Sequence, residues 1–128
     1  MNTENVVSGD AAGNLTGKEY RVVAITSGGI DLATSATKVI GTLIRAMPVQ
    51  ESGTYAGTSV AVQRKHAGLH FAMIGNSSAA VAKGAGLILD PSTGDNPGKL
   101  VPSESSPICA AWEAFTASDG VIVRVVFL

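Results

Sequence analysis

The chain has 128 residues, a net charge of −1 and only 15% charged residues, against a usual share of about 25%. A chain of this length fits one domain and can bury a core without disulfides or metal ions. Its nine basic and ten acidic residues are scattered, so no basic patch for a nucleic acid is expected, and no apolar run reaches the ~18 residues of a membrane span. The many small residues instead favour close packing against neighbouring proteins.

The first 19 residues form a polar segment rich in Gly and Asn, and its apolar anchors are Val6, Val7 and Leu15. So few apolar side chains cannot bury a core, which predicts a flexible N-terminal arm over residues 1–19. Residues 20–128 are then predicted to form a single β-rich domain. The N-terminus lacks the charged and apolar regions of a signal peptide, so export by that route is not expected and folding in the cytoplasm is.

Short β-rich segments follow one another through the rest of the chain, separated by turns that contain Gly, Pro, Asn or Ser. The polar stretch from Gln50 to Gly57 indicates an exposed loop with Tyr55 near its tip. The Ala-rich segment Ser77 to Lys83 favours a helix of one or two turns. The predicted strands are Tyr20–Thr26, Ile30–Thr34, Lys38–Ala46, Thr58–Lys65, Leu69–Ile74, Leu87–Asp90, Lys99–Val101 and the two strands of a final hairpin that turns at Ser118–Gly120.

This spacing of strands and turns predicts the fold class. Many short strands without alternating helices are typical of antiparallel sheets rather than of parallel sheets with crossover helices. We therefore expect an all-β fold, a small antiparallel β-barrel or sandwich of about eight short strands. It would have at most one short helix and an extended N-terminal arm.

A strand-turn-strand pattern occurs twice. Its first copy joins Val39–Ala46 to Val60–Arg64, and its second joins Pro107–Ala114 to Val121–Leu128. The first strands align at an offset of 68 residues and the second strands at 61, so the second loop is seven residues shorter. Two similar halves without a catalytic constellation indicate a structural building block.

The sequence predicts no catalytic residue, no cofactor and no metal ligand, because it contains no nucleophile elbow, phosphate loop or dinucleotide-binding glycine pattern. His66 and His70 lie four residues apart, but in a strand that spacing spans about 13 Å, too far for one ion. Both histidines are therefore expected to face solvent or an interface. The lone Cys109 lies in an apolar segment, which favours a buried structural thiol. An enzyme is not expected.

The order of turns and strands in the C-terminal half carries a family resemblance. An Ala/Gly turn and short strand at Ala82–Asp90 precede a turn at Gly98–Pro102, a strand at Ile108–Ala114 and an Asp-Gly turn at Asp119–Gly120. This order resembles that of the small capsid decoration, or cement, proteins of tailed bacteriophages. The earlier segment Val39–Ala46 resembles the first strand of that family.

The resemblance covers roughly residues 20 to 128 and implies a non-enzymatic protein that binds the outer surface of an assembled phage head and reinforces it. The implied partners are the major capsid protein and two further copies of the chain in a homotrimer, and the implied location is the virion surface. The residues expected to contact the capsid are Val6, Val7, Leu15 and Tyr55, and those expected in the core or the trimer interface are Phe71, Trp112 and Phe127.

Two other classes of function remain open at this point. Another virion component, such as a head-fibre base or a tail-associated β-barrel, would share the composition and the tendency to assemble. A carbohydrate-binding module would use Tyr55 and Trp112 to stack a sugar and would be monomeric.

Overall fold

The computed structural model describes residues 5–45, 59–92 and 94–128. Within these ranges the fold is all-β and has no helical element, which confirms the predicted fold class. The strands of the described ranges are β1 (Val6–Asp10), β2 (Val22–Thr26), β3 (Gly29–Leu32), β4 (Val39–Arg45), β5 (Ser59–Arg64), β6 (Leu69–Met73), β7 (Ala80–Val81), β8 (Gly86–Leu89), β9 (Leu100–Pro102), β10 (Cys109–Ala111), β11 (Phe115–Thr116) and β12 (Ile122–Phe127).

Most of these strands belong to two five-stranded antiparallel sheets. The first sheet has the order β1-β5-β4-β2-β3, and the second has the order β6-β12-β10-β8-β9. Strands β7 and β11 pair separately. The sheets do not close into a barrel, so the sandwich-like architecture is the one of the two predicted alternatives that agrees with the structure.

The two sheets have the same topology. When β6, β8, β9, β10 and β12 are matched in chain order to β1 through β5, every pairing in the first sheet has a counterpart in the second. An isolated parallel bridge also joins the end of the first strand to the third strand in both halves. We call residues 6–64 the first repeat and residues 69–127 the second repeat. The two similar hairpins seen in the sequence are parts of this larger repeat.

The strand register of the two repeats also matches. Val7 pairs with Val62 in the first sheet, and the residues 63 positions later, His70 and Val125, pair in the second. The same offset relates all five pairs between β1 and β5 to the five pairs between β6 and β12. A paired residue in β1 or β5 can therefore be compared with a structurally equivalent residue in β6 or β12.

The two offsets taken from the sequence have different outcomes. The offset of 68 for the first strands is confirmed by Gly41 and Cys109, which pair with equivalent residues of β5 and β12. The offset of 61 for the last strands is wrong, because Val60 matches Val123 rather than Val121. An error of two residues keeps apolar side chains on the same face, so alternation alone does not reveal it.

Each repeat has an interior lined by matching apolar positions. These positions lie on the inner faces of equivalent strands, and both sets are buried. Ala11, Val23, Ile30, Leu43, Val60 and Val62 line the first repeat, and their counterparts Ile74, Leu87, Leu100, Ala111, Val123 and Val125 line the second.

The outer face of the first sheet covers the interior of the second repeat. Val22 and Ala24 alternate with the inward-facing Val23, and both are buried in the same cluster as the interior of the second repeat. Thr42 in β4 is also fully buried, and its Oγ1 lies 2.7 Å from Nδ1 of His70 in β6. The outer face of one sheet therefore packs on the inner face of the other.

Residues 5–19 lie against the first sheet, where the sequence predicted a flexible arm. Strand β1 pairs with β5 along its whole length, and Leu15 is buried in the interior of the first repeat. Leu15 therefore cannot supply the predicted capsid contact in this conformation, because its side chain fills the core. The apolar residues of this segment complete a core formed by later strands, which a local reading of the segment does not show.

The predicted helix at Ser77–Lys83 is wrong. Ala80 and Val81 form β7, which pairs with β11, and Val81 is buried. Pairing and burial against the second repeat override the helix propensity of the alanines. Among the strands of the described ranges, β1, β7 and β11 were not predicted from the sequence.

Candidate assembly surface

The outer face of the second sheet is apolar and exposed. Side chains alternate along β6, so His70 and Ala72 are buried while Leu69 and Phe71 are 38% and 56% exposed. Ile122 in the neighbouring β12 is also exposed. Contiguous exposed apolar surface of this kind marks sites of contact with other molecules. We call Leu69, Phe71, Met73, Ala110, Ile122 and Val126 the outer apolar face.

Two positions of the equivalent face are polar in the first repeat, although exposed Val6 occupies the position of Leu69. Ser8 occupies the position of Phe71, and Ser59 occupies the position of Ile122. Because β1 with β5 and β6 with β12 share their register, the fold does not require apolar side chains at the positions of Phe71 and Ile122. These exposed side chains therefore indicate contact with another molecule rather than a requirement of the fold.

Two further aromatic side chains border the outer apolar face. The Tyr20 ring contacts Phe71 edge to face, with centroids 6.2 Å apart, and the Met73 N–H donates to the Tyr20 carbonyl oxygen at 2.9 Å. Trp112 is exposed just after β10, and Lys83 Nζ lies 5.8 Å from the centroid of its ring. Aromatic residues are enriched in protein interfaces, so both side chains extend the contact surface.

An ion pair neutralises Arg124, whose side chain lies among the apolar residues of β12. The Arg124 Nε and Nη2 donate to the two carboxylate oxygens of Glu113 at 3.0 and 2.9 Å. These hydrogen bonds from Arg124 lower the pKa of Glu113. Both groups are about half exposed, so the pair contributes little to the stability of the monomer. Its main effect is to present a neutral, planar group instead of an isolated charge on this face.

The structure separates the three aromatic residues that the sequence predicted for the core or a trimer interface. Phe127 is 7% exposed and packs edge to face against His70, with ring centroids 4.8 Å apart, so it belongs to the core. Phe71 and Trp112 are exposed on and beside the outer apolar face. Leu69 was not among the residues predicted for an interface, although β6 has apolar residues on both of its faces, a pattern typical of strands covered on both sides.

The residues predicted to contact the capsid do not lie on the outer apolar face. Val6 and Val7 are exposed on opposite sides of β1, an edge strand of the first sheet. Leu15 is buried, and Tyr55 lies outside the described residues. The structure therefore does not bring Val6, Val7 and Leu15 together into one surface.

The prediction for the histidines fits His66, which is exposed, and is wrong for His70. His70 is fully buried on the inner side of β6, and its ring nitrogens contact the Thr42 hydroxyl and the Lys65 carbonyl oxygen. Among the described residues no group of three or more side chains could hold a metal ion. Cys109 is buried as predicted, and desolvation raises the pKa of its thiol to about 12.

Neither the models of known protein families nor the curated protein sequences match this chain. Within the described ranges, no helix has the length and apolar character needed to cross a membrane. The function proposed for this chain therefore rests on its surface geometry and on the resemblance of its strand and turn order.

Proposed function

We propose that this chain is a structural protein of a phage head, which forms a trimer and binds the outer surface of the assembled shell through the major capsid protein. The observation that carries this proposal is the outer apolar face. It exposes Phe71 and Ile122, whereas the same two positions carry Ser8 and Ser59 in the first repeat. The resemblance to decoration proteins supplies the kind of assembly, and the low share of charged residues suits close subunit packing.

Trimer formation also increases the strength with which the protein holds the shell. An assembled head presents the same binding position many times, and a trimer engages several copies of the capsid protein at once. Linked contacts gain affinity without any new interaction, provided that the geometry allows them to form together. Each single contact with the capsid protein therefore needs only modest affinity.

The first test measures self-association by light scattering after size-exclusion chromatography. We expect a trimer for the wild type and an at least tenfold weaker association for Phe71→Ser, because burying a phenyl side chain contributes about 1.5–3 kcal/mol. This substitution installs the residue found at the equivalent position of the first repeat. Ile44→Ser is the matched control, since Ile44 is exposed on the first sheet. A monomeric wild type would contradict the trimer and favour a monomeric module such as a carbohydrate-binding one.

The second test measures co-sedimentation with undecorated heads of the phage that encodes the chain. We expect saturable binding at a fixed ratio of chains to capsid subunits. Phe71→Ser should bind more weakly, because loss of the trimer removes the linked contacts. Electron microscopy of the particles then locates the protein. Density confined to a fibre base or to the tail, or no binding at all, would refute a role in decorating the head.

A further inference from the structure

The interior of the first repeat is open at one end. Val7 faces the same interior as Val62, its cross-strand partner, yet Val7 is 36% exposed and Val62 is 0% exposed. Ile25, on the same face of β2 as the buried Val23, is 48% exposed. A groove of about 960 Å³ lies around these side chains, and Arg64 is one of its lining residues. We call this space the open groove.

The equivalent end of the second repeat is filled and covered. His70 occupies the position of Val7, and Phe127 occupies that of Arg64. Both rings are buried and contact each other. Thr42, on the outer face of the first sheet, reaches this end, since its Oγ1 lies 2.7 Å from Nδ1 of His70. The first repeat therefore closes the end of the second repeat that corresponds to the open groove.

A small set of residues in the first repeat forms this cover. They lie on the outer faces of β2 and β4 and directly after β3, and all of them are buried. Three of them belong to the cluster that contains the interior of the second repeat, and the fourth contacts His70. The members of this internal cover are Val22, Ala24, Ala33 and Thr42.

Strand pairing identifies the same four positions in the second repeat. The counterparts of Val22, Ala24, Ala33 and Thr42 are, in the same order, Gly86, Ile88, Ser103 and Ala110. Ile88, Ser103 and Ala110 are partly exposed, whereas the members of the internal cover are buried. We call Gly86, Ile88, Ser103 and Ala110 the second cover. It has the backbone of a surface that closes a repeat, and it is the less buried of the two.

We infer that the second cover of a neighbouring copy of this chain closes the open groove. In the internal contact the Thr42 hydroxyl meets the His70 ring, so a polar group meets a polar group. Their counterparts are Ala110 and Val7, and both of these are apolar. The two sides of the contact therefore differ together between the repeats, as expected if the counterparts also meet.

The charges at the two surfaces also fit each other. Arg64 and Lys65 line the open groove and outnumber Asp10, so the groove has a basic edge. Glu104 lies at the second cover, where its carboxylate accepts a hydrogen bond from the Gly86 N–H. Opposite charges at the edge of a contact favour its formation and fix its orientation.

The proposed contact is continuous with the outer apolar face, because Ala110 belongs to both surfaces. Phe71 lies two strands away in the order β6-β12-β10, so it borders the contact without entering the groove. The contact joins two different surfaces, and heterologous contacts close into rings when the rotation between neighbours allows it. A ring of three chains contains six repeats, joined alternately within a chain and between chains. The inference rests on the trimer of the proposed function and identifies its interface.

The first test places one charge in each surface. Val7→Lys puts an ammonium group in the open groove, and Ala110→Lys puts one on the second cover. Both positions are partly exposed in the single chain, so the fold accommodates the new side chains. We expect each variant to change from three chains per particle to one in light scattering. Ile44→Lys, at an exposed isoleucine outside both surfaces, should remain a trimer.

Mixing the two variants tests whether the two surfaces bind each other. The Val7→Lys chain keeps an intact second cover and the Ala110→Lys chain keeps an intact groove, so one complete interface can form. We expect the mixture to sediment as a dimer at concentrations where each variant alone is a monomer. Absence of the dimer overturns the inference.

Cross-linking tests which residues meet. A chain with Val7→Cys and Ala110→Cys is treated with a short bismaleimide, and we expect covalent dimers and trimers on a denaturing gel. The matched control combines Val6→Cys with Ala110→Cys and should give single chains, because Val6 is exposed on the opposite side of β1. Cys109 is buried and does not compete for the reagent. Equal cross-linking of the two pairs, or none of either, contradicts the inferred contact.

Folding of each variant is checked by circular dichroism and thermal unfolding. Ile25→Lys and Ile88→Lys are the second groove and cover variants, and the same loss and rescue are expected for them if the first pair does not fold. A monomeric wild type overturns both the trimer and this interface. A wild-type trimer that the groove and cover variants leave intact overturns the interface alone. A groove-dependent trimer that does not bind heads overturns the role in the head and supports the interface.

Discussion

His70 shows how one side chain can join two sheets. The Lys65 carbonyl oxygen can only accept, so Nε2–H donates to it at 3.2 Å, and in the neutral ring Nδ1 accepts from the Thr42 hydroxyl at 2.7 Å. Both nitrogens are thus satisfied without a charge. Protonation would place a charge in a buried site between the sheets, and this desolvation lowers the pKa of His70.

The lowered pKa predicts an acid-sensitive stability. Between the folded pKa of His70 and its unfolded value near 6.5, the unfolded chain binds more protons, so the full contribution is present above about pH 6.5 and is lost as the pH falls. We expect the free energy of unfolding in urea to decrease below pH 6.5, by at most about 1.4 kcal/mol per pH unit from this group. His70→Gln should remove that part of the slope and keep exposed His66 as an internal control. Equal slopes for both proteins would contradict this account.

The buried thiol of Cys109 predicts very slow alkylation. Desolvation raises its pKa to about 12, so almost no thiolate forms at pH 8, and the side chain is also inaccessible. We expect mass spectrometry to show almost no iodoacetamide adduct on the folded protein and one adduct per chain in urea. Rapid stoichiometric labelling of the folded protein at pH 8 would show that this site opens readily.

At the scale of the elements, strong apolar alternation was sufficient to predict strands. The long strands β4, β5 and β12 all lie where the sequence placed them. Strands β7 and β11 contain two residues each, and their identity depends on each other and on burial rather than on their own composition. The Ala-rich sequence around Val81 favours helix when read locally. Its pairing with Phe115 and Thr116, together with the burial of Val81, makes it a strand.

Gly41 is predicted to be essential for the pairing of β4 with β5. Its φ of 154° is unfavourable for other residues, and a Cβ at this position would collide with the Gln63 carbonyl oxygen. We expect Gly41→Ala to lower the free energy of unfolding by about 3 kcal/mol in denaturant titrations. Gly17 also has a positive φ, of 76°, but open space around it, so Gly17→Ala should cost only about 1 kcal/mol. Similar losses for both variants would show that backbone conformation, and not the collision, decides.

At the scale of the whole molecule, the sequence predicted an all-β barrel or sandwich and a pair of similar halves, but not how the halves cover each other. The burial of Thr42 and His70 depends on contact between residues of different sheets. Leu15 was assigned to the surface because its own segment contains few apolar residues, whereas its partners in the core come from β2 to β5. The outer apolar face was missed in part because an exposed apolar face is indistinguishable in sequence from one that is covered within the chain.

The buried position of Leu15 predicts that the N-terminal segment stabilises the fold. Leu15→Ala removes buried methyl groups from the interior of the first repeat, so we expect a loss of about 2–4 kcal/mol in the free energy of unfolding. Val6→Ala, at an exposed position in the same segment, should change it by less than about 0.5 kcal/mol. If the two variants were equally stable, the segment would not be packed as described. Removing residues 1–19 should therefore damage the fold as well as any capsid contact.

The shared register of the two repeats has a consequence for how the sequence can vary. In a protein with a single repeat, the same positions must serve both folding and binding. A substitution that improves binding there can reduce stability. In this chain the second repeat has a filled interior and carries Phe71 on its outside, at the position where the first repeat carries Ser8. The first repeat has an open interior around Ile25. Equivalent positions on one backbone are thus subject to different constraints, so a substitution tolerated in one repeat need not be tolerated in the other.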